Sequence, residues 1–447
     1  MSTLLSWWQH LREQFQAEQP EVPEPDYRFG RYSDNNKTAL QTKTWYEAER
    51  HFREKQYREA FEALLVYMRD PHENNMDYSQ EGDAYRFVLL QGTKRVEGVF
   101  NANGLSANVQ LVAMPEANKP VMRRMLDANT DLYYSRYALK DGVLCLMMDL
   151  PLDMCSPGKM YFSLKEMAIR ADQQDDLLLD EFSNLKIADA LQQHAFTEKE
   201  SAVKYHYLQY WLRHCLEQVE QMPADSFSGG IGYSLMALLY RIDYLVSPEG
   251  KLMHLIDEGI ARYWASREEL SAVERNQTLK TLLSEIAALP KETILKGFYR
   301  NTASFALSAA VPYQRVIDHV QEARQTALWF HQNGYTDVAY RVQEYGLLFP
   351  LYTFSMPKPY ADLVRLFMHI NFPAFFDELG FANKFIRGEQ CQMDAIQTSV
   401  NHIVQSARER YPKFSVDWGD LPSKNRLHVN LALMQAIENL NFENPAP

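Results

Sequence analysis

The sequence predicts an α+β fold, with a mixed helix–sheet module up to residue 182 and an all-helical domain from there to residue 447. Three observations carry this. Apolar residues alternate with a period of two in several short runs between Tyr85 and Met148. From about residue 197 the period becomes helical, and Pro223, Pro248, Pro290, Pro312, Pro350, Pro357, Pro373 and Pro412 cut the pattern into blocks. Apolar residues are 46% and charged residues 23%, so a chain of this length has ample surface to bury in more than one core.

In chain order, Leu4, Trp7, Trp8, Leu11 and Phe15 share one face over residues 3–17, which predicts a short amphipathic helix docked on the protein's own body or on a partner. Residues 18–37 carry three prolines and little that is apolar, and read as an extended linker. Two short helices follow over 44–69, separated at Arg53–Gln56; the second places Tyr57, Ala60, Phe61, Leu64, Leu65 and Met68 on one stripe. Three strands come next: Tyr85–Leu90, Lys94–Phe100 and Leu105–Ala113, the last two joined by Asn101-Ala-Asn-Gly104. Asn118 with Pro120 opens a helix. Tyr133–Leu139 and Val143–Met148 form a hairpin about Asp141-Gly142. Ser156-Pro157 starts a helix whose stripe is Met160, Leu164, Met167, Ala168 and Ala171. The resulting order is helix-βββ-helix-ββ-helix, then helices only. The expected division is 1–37, an N-terminal helix and linker; 38–182, the α+β module; and 183–447, the helical domain.

The run from Tyr134 to Leu178, YSRYALKDGVLCLMMDLPLDMCSPGKMYFSLKEMAIRADQQDDLL, has a strand ending in Asp149-Leu-Pro-Leu152, then a helix reaching Ala171-Asp172 and an acidic cluster. With the element order of residues 45–182, it resembles the type III secretion chaperone-like fold, and within it the bacterial YbjN-type family. The resemblance covers under a third of the chain and brings no active-site residues. It implies a binding module whose sheet takes an extended segment of a partner polypeptide by strand addition. It also implies that a homodimer stays open.

Composition narrows the partners. The net charge of −12 disfavours nucleic acid, which needs a basic face to displace counterions. No run approaches the roughly 20 apolar residues of a membrane span. Cys145, Cys155, Cys215 and Cys391 are scattered, which predicts free thiols in a reducing compartment. With no basic leader before an apolar run, the expected location is the cytoplasm.

No motif announces catalysis, a cofactor or a metal. Ser228-Gly-Gly-Ile-Gly232 precedes a helix, but no P-loop lysine follows it, and it reads as a tightly packed helix start. His206 and His214 lie two turns apart with no adjacent carboxylate, and read as structural or surface histidines. Asp172, Asp175, Asp176, Asp180 and Glu181 read as a solvated helix tip, since anions oppose the dipole at a helix C-terminus. Residues 349–360 read as an aromatic, proline-bearing connection.

The expected function is therefore non-enzymatic: a chaperone-like adaptor holding a partner protein or extended peptide on its sheet or in a helical groove. The candidate surface is an edge strand with Val96, Gly98 and Phe100, and a loop groove with Tyr352, Phe354 and Tyr360. The alternative is an enzyme or small-molecule sensor with a pocket in the helical domain, near Gly229–Tyr233 or residues 349–360.

Overall fold

The computed structural model describes residues 25–30, 37–70, 75–188, 194–300, 311–419 and 423–443. The amphipathic segment 3–17 and most of the segment 18–37 lie outside the described residues.

The module opens with two antiparallel helices, α1 (Ala39–Arg53) and α2 (Tyr57–Met68). Thr38 and Gln41 form a reciprocal cap at the start of α1, with N···O distances of 3.0 and 3.1 Å. Strands β1 (Met76–Glu81), β2 (Ala84–Gln91), β3 (Lys94–Asn101) and β4 (Gly104–Ala113) then run as an antiparallel meander. Helix α3 (Lys119–Ala128), capped by Asn118, leads to β5 (Arg136–Lys140) and β6 (Val143–Pro151). Asp141 and Gly142 both have positive φ, as a two-residue hairpin turn requires. Helix α4 (Pro157–Glu181) and the short β7 (Lys186–Ile187) complete the module. The strand order is β1-β2-β3-β4-β6-β5, with β7 joining the far end of β4 beyond a bulge at Leu111.

One face of this sheet is dry. Helices α2 and α4 cover it, and Phe61 of α2 stacks on Phe100 of β3 with centroids 4.3 Å apart. The other face carries Arg86, Glu97, Ser106, Asn108 and Asp149 toward solvent, the alternation expected of a half-buried antiparallel sheet.

The α+β architecture stands, with two strands more than the sequence predicts in the module, β1 and β7, and two short ladders in the helical region, His194–Ala195 with Tyr299–Arg300 and Ile386–Arg387 with Gln390–Cys391. Strand β1 was not foreseen because Met-Asp-Tyr-Ser-Gln-Glu lacks apolar alternation; only Met76 is buried. Its presence displaces the expected edge. Strand β3 is interior, with Gly98 paired to Phe87 on one side and Ala107 on the other. Gly98 is glycine because the Phe87 ring lies across it: a Cβ there would fall 2.1 Å from a ring carbon. The true edges are β1 and β5.

The helical region comprises α5 (Glu198–Glu220), α6 (Ser228–Arg241), α7 (Gly250–Ala265), α8 (Ala272–Ala288), α9 (Lys291–Lys296), α10 (Tyr313–Gln332), α11 (Thr336–Thr353), α12 (Lys358–Asn371), α13 (Pro373–Leu379), α14 (Met393–Ala407) and α15 (Arg426–Glu438). A π turn, Ile242–Val246, follows α6. Prolines sit at helix boundaries with one exception: Pro350 lies inside α11, one turn from its end. The expected connection 349–360 is thus mostly helix, and only Phe354–Pro357 links α11 to α12.

Two apolar cores result. One contains Ala48 through Leu185 and belongs to the sheet; the other spans Val203 to Leu440 and also holds Phe29. Phe29 comes from the segment read as linker. Its ring meets Tyr244, Phe375 and Phe376, and Gly30, at φ +68°, donates its N–H to Tyr244 O at 2.8 Å. Residues 25–30 are therefore a strap docked on the helical core. All four cysteines are buried and free. Among the described residues no helix is long and apolar enough to cross a membrane.

Candidate functional site

The six residues singled out from sequence do not form a surface. Val96 and Phe100 are buried under α2 and α4, and Gly98 lies beneath Phe87. Tyr360 is fully buried and its hydroxyl donates to Leu347 O at 2.9 Å. Phe354 is buried beside Phe349, and Tyr352 donates to Asp257 Oδ1 at 2.8 Å. The aromatic spacing that suggested a groove is that of rings filling space between helices. The glycine-rich run starts α6, where Gly230 and Gly232 admit Phe227 and Tyr263 at distances a Cβ would occupy. His206 and His214 are exposed, and no group of metal-ligating side chains occurs among the described residues.

The acidic helix end is the largest correction. Helix α4 runs to Glu181 and carries Asp172, Asp175 and Asp176 into the junction between module and helical region, while Asp180 and Glu181 are exposed at its tip, Glu181 paired with Arg124 of α3. Asp175, 1% exposed, pairs with Lys94 Nζ at 2.6 Å and accepts from Thr93 Oγ1 at 3.3 Å. Asp176 accepts from the hydroxyl of Tyr299. Asp172 accepts from Gln91 Nε2 at 3.2 Å, an approach that Gly92 permits, since a Cβ there would strike the carboxylate. Asp180 pairs with Lys251 of α7 at 3.2 Å. Burial pushes the Asp175 and Asp176 carboxyls up, Asp176 also because the charge of Asp175 adjoins it. These acids belong to a joint, and a cavity of about 90 Å3 beside it is too small for more than a few waters.

Among the larger openings, one in the helical region gathers charged groups, a cleft of about 390 Å3 walled by α5, α6, α11, α12, α13 and α15. Helical periodicity sets its groups side by side. On α11, Asp337, Tyr340, Arg341 and Glu344 follow one face at i, i+3, i+4 and i+7. On α5, Tyr207 and Trp211 are one turn apart, as are Tyr210 and His214, whose rings stack at 5.7 Å.

The electrostatics of the cleft centre on Glu344. Arg241 Nε and Nη2 donate to its two oxygens at 2.6 and 2.5 Å, a bidentate pair in which both side chains are 3% exposed. The Arg241 guanidinium also lies 4.5 Å over Phe372 and 5.4 Å over Trp211. Arg341 Nη1 stands 3.7 Å from the same carboxylate, past hydrogen-bond reach, with its side chain 20% exposed. Burial pulls the Arg341 guanidinium down, and the neighbouring Arg241 charge adds to the effect. Arg426 faces the Tyr340 ring at 5.6 Å and reaches Asn371 O at 3.5 Å. Asn371 exchanges amide bonds with Asn430 at 2.9 and 3.1 Å, and Asn430 donates to Gln343 Oε1 at 3.0 Å, which stiffens the floor. At the mouth, Tyr207 donates to Glu378 Oε1 at 2.7 Å; burial first, then that carboxylate, raises the Tyr207 hydroxyl.

Three guanidiniums thus meet two carboxylates on the cleft walls and a third, Glu378, at its mouth, in a chain whose net charge is −12. None of Arg241, Arg341, Arg426 or Glu344 was read from sequence, because they come from three helices up to 185 positions apart. The one available signal was Tyr340, Arg341 and Glu344 on the apolar, helical run 336–348, where a charged pair interrupts a face otherwise bound for the core. None of the known family models matches the chain, and no curated protein matches it either.

Proposed function

We propose that this is a non-enzymatic binding protein that takes its ligand in the arginine-lined cleft of the helical region, with the sheet module and its buried joint acting as support. The observation that supports the reading is Arg341: a largely buried guanidinium whose ion-pair partner, Glu344, is already held bidentate by Arg241. Surplus buried charge is costly, and it is retained where a ligand answers it. The volume of about 390 Å3 lies in the range of small-ligand sites, and rigid rings with a few placed polar groups are their usual lining. The expected adaptor role moves with this from the sheet to a helical groove.

Ala374 is exposed on the cleft wall, so Ala374→Trp fills the opening without touching either core. Native mass spectrometry of the full chain, purified from its own cells, compares wild type with this variant. A non-covalent adduct carried by wild type and lost in Ala374→Trp supports the cleft. An adduct carried equally by both sinks the reading.

A second reading attaches to β1, whose residues are exposed except Met76 and which pairs with β2 alone. Such an edge accepts an extended polypeptide as a further strand, the mode implied by the secretion-chaperone resemblance. Asp77 would favour a basic residue opposite it, Glu81 being already paired with Arg86 at 2.6 Å. Tyr78→Pro would abolish capture of that segment while leaving the ligand of the cleft in place.

A further inference from the structure

We infer that the cleft binds a planar organic monoanion, a carboxylate borne on or next to an aromatic ring, an inference that rests on the cleft being the ligand site.

The charge follows from the cluster. Arg241, Arg341 and Arg426 supply three positive charges, and Glu344 and Asp337 two negative ones. A third carboxylate, Glu378 at the mouth, is engaged by the Tyr207 hydroxyl rather than by an arginine. Glu344 spends both oxygens on Arg241, at 2.6 and 2.5 Å, so Arg341, 3.7 Å away, keeps its donor fork for something else. A guanidinium is planar, and its paired N–H groups match the two oxygens of a carboxylate. A second protein carboxylate would complete the square; the ligand supplies it.

The shape follows from the walls. Tyr340 and Trp211 already lie against cations as flat faces, Arg426 at 5.6 Å and Arg241 at 5.4 Å from their ring centroids. Phe372, at 4.5 Å from Arg241, adds a third. Rings next to a guanidinium favour a flat partner that stacks on the ring while its carboxylate meets the charge. A phosphate monoester fits less well. It would bring close to two negative charges to one guanidinium beside Glu344, and its tetrahedral oxygens are best met by converging backbone N–H groups or lysines, whereas the cationic groups lining the cleft are arginines.

Calorimetry on the full chain tests this with five probes: benzoate, benzamide, benzylammonium, cyclohexanecarboxylate and phenyl phosphate. Benzoate is expected to bind at least tenfold tighter than benzamide, which keeps the ring and loses the charge, and tighter than cyclohexanecarboxylate, which keeps the charge and loses the flat ring. Arg341→Met should weaken benzoate at least tenfold. Arg341→Gln serves as a second variant, and circular dichroism establishes that each folds. Equal binding of benzoate and benzamide, or benzoate binding unchanged in both Arg341 variants, overturns the inference. So does phenyl phosphate binding tighter than benzoate. Failure of the broader reading is distinguishable: if Ala374→Trp blocks benzamide or benzylammonium as effectively as it would block an anion, the cleft is still the ligand site and only the ligand class is wrong. If Ala374→Trp leaves every probe that binds unaffected, the cleft itself is not the site.

Discussion

Replacing Lys94 by methionine removes the one cation that the structure places against Asp175. Both side chains are almost wholly inaccessible, 2% and 1% exposed, and their charged atoms are 2.6 Å apart. Lys94 also reaches Leu111 O at 3.4 Å, and Thr93 holds the same Asp175 oxygen. Methionine keeps most of the stem volume, so the loss is chiefly electrostatic. Breaking a buried pair from one side costs about 3–5 kcal/mol, because the survivor stays charged and unpaired. The neighbouring Asp176 worsens this here, since it already raises the cost of ionising the pair. The pH dependence has a definite sign. Without Lys94, which holds it down, the Asp175 carboxyl moves further above its unfolded value. The native variant then binds a proton that the unfolded chain releases, so its stability is greatest in acid and falls as pH rises through the folded value. Lowering pH from 8 to 5 should recover on the order of 2 kcal/mol of the loss relative to wild type. Urea unfolding of the full chain at the two pH values measures both quantities. Adding Asp175→Leu should recover most of the deficit at pH 8, since a pair replaced by apolar groups is near neutral. A cost below about 1 kcal/mol at pH 8, or a cost identical at pH 5, would refute the account of the joint as a buried acidic cluster held by the Lys94–Asp175 pair.

Other perturbations bear on the strap, the sheet and the helical core. Phe29→Ala should destabilise by about 3 kcal/mol, because its ring sits among Tyr244, Phe375 and Phe376, and urea unfolding monitored on the helical region reads it. Gly98→Ala should cost about 1–3 kcal/mol, as the Phe87 ring must move from its place 2.1 Å from the new Cβ; a cost near zero would contradict the interior register of β3. His369 is stacked on Phe376 at 3.6 Å, and burial pulls its imidazole down to about 3. Between pH 6.5 and that value the unfolded chain binds a proton that the native state does not, so stability falls as pH falls, by about 1.4 kcal/mol per unit at most. His369→Phe should flatten that acid limb in pH-dependent unfolding, and an unchanged limb would remove His369 as its source.

The secondary structure that was legible in the sequence is that in which a local rule acts alone. Ser156-Pro157 and Asn118 start helices because their side chains accept the first free N–H groups, and they do so here. Asp141-Gly142 turns a hairpin because both residues tolerate positive φ. The misses arise where tertiary contacts override such rules. Strand β1 has no apolar alternation to detect, since it is exposed on both faces and exists only because β2 offers it a ladder. The acidic run 172–181 obeys dipole logic only in solvent; Asp175 and Asp176 instead meet Lys94 and Tyr299 at the joint, partners that an isolated helix lacks, while Asp180 and Glu181 stay exposed. Pro350 stays inside α11 because helix lost to its missing N–H is limited to a final turn, and Phe354 N still bonds to Pro350 O at 2.9 Å.

The cleft was the hardest feature to foresee, and the reason is general. An arginine on an amphipathic helix is read as solvated, since most are. Whether it is buried depends on what the facing helix presents, and that is a property of pairs of helices far apart in sequence. Arg241 ends α6, Glu344 lies in α11 and Arg426 opens α15. Each is locally unremarkable: packing of α11 on α6 brings Arg241 onto Glu344, one turn from Arg341 on α11 itself, and packing on α15 brings Arg426 over Tyr340. A protein that needed this cluster only for stability would do better with apolar side chains of similar volume, because desolvating two guanidiniums for one carboxylate is unfavourable. In the joint Lys94 meets one oxygen of Asp175, whose other oxygen is buried without a partner, and Tyr299 and Gln91 donate to Asp176 and Asp172. The two buried clusters therefore differ in kind: each acid of the joint has a donor within the chain, while Arg341 of the cleft stands 3.7 Å from a carboxylate that Arg241 already holds.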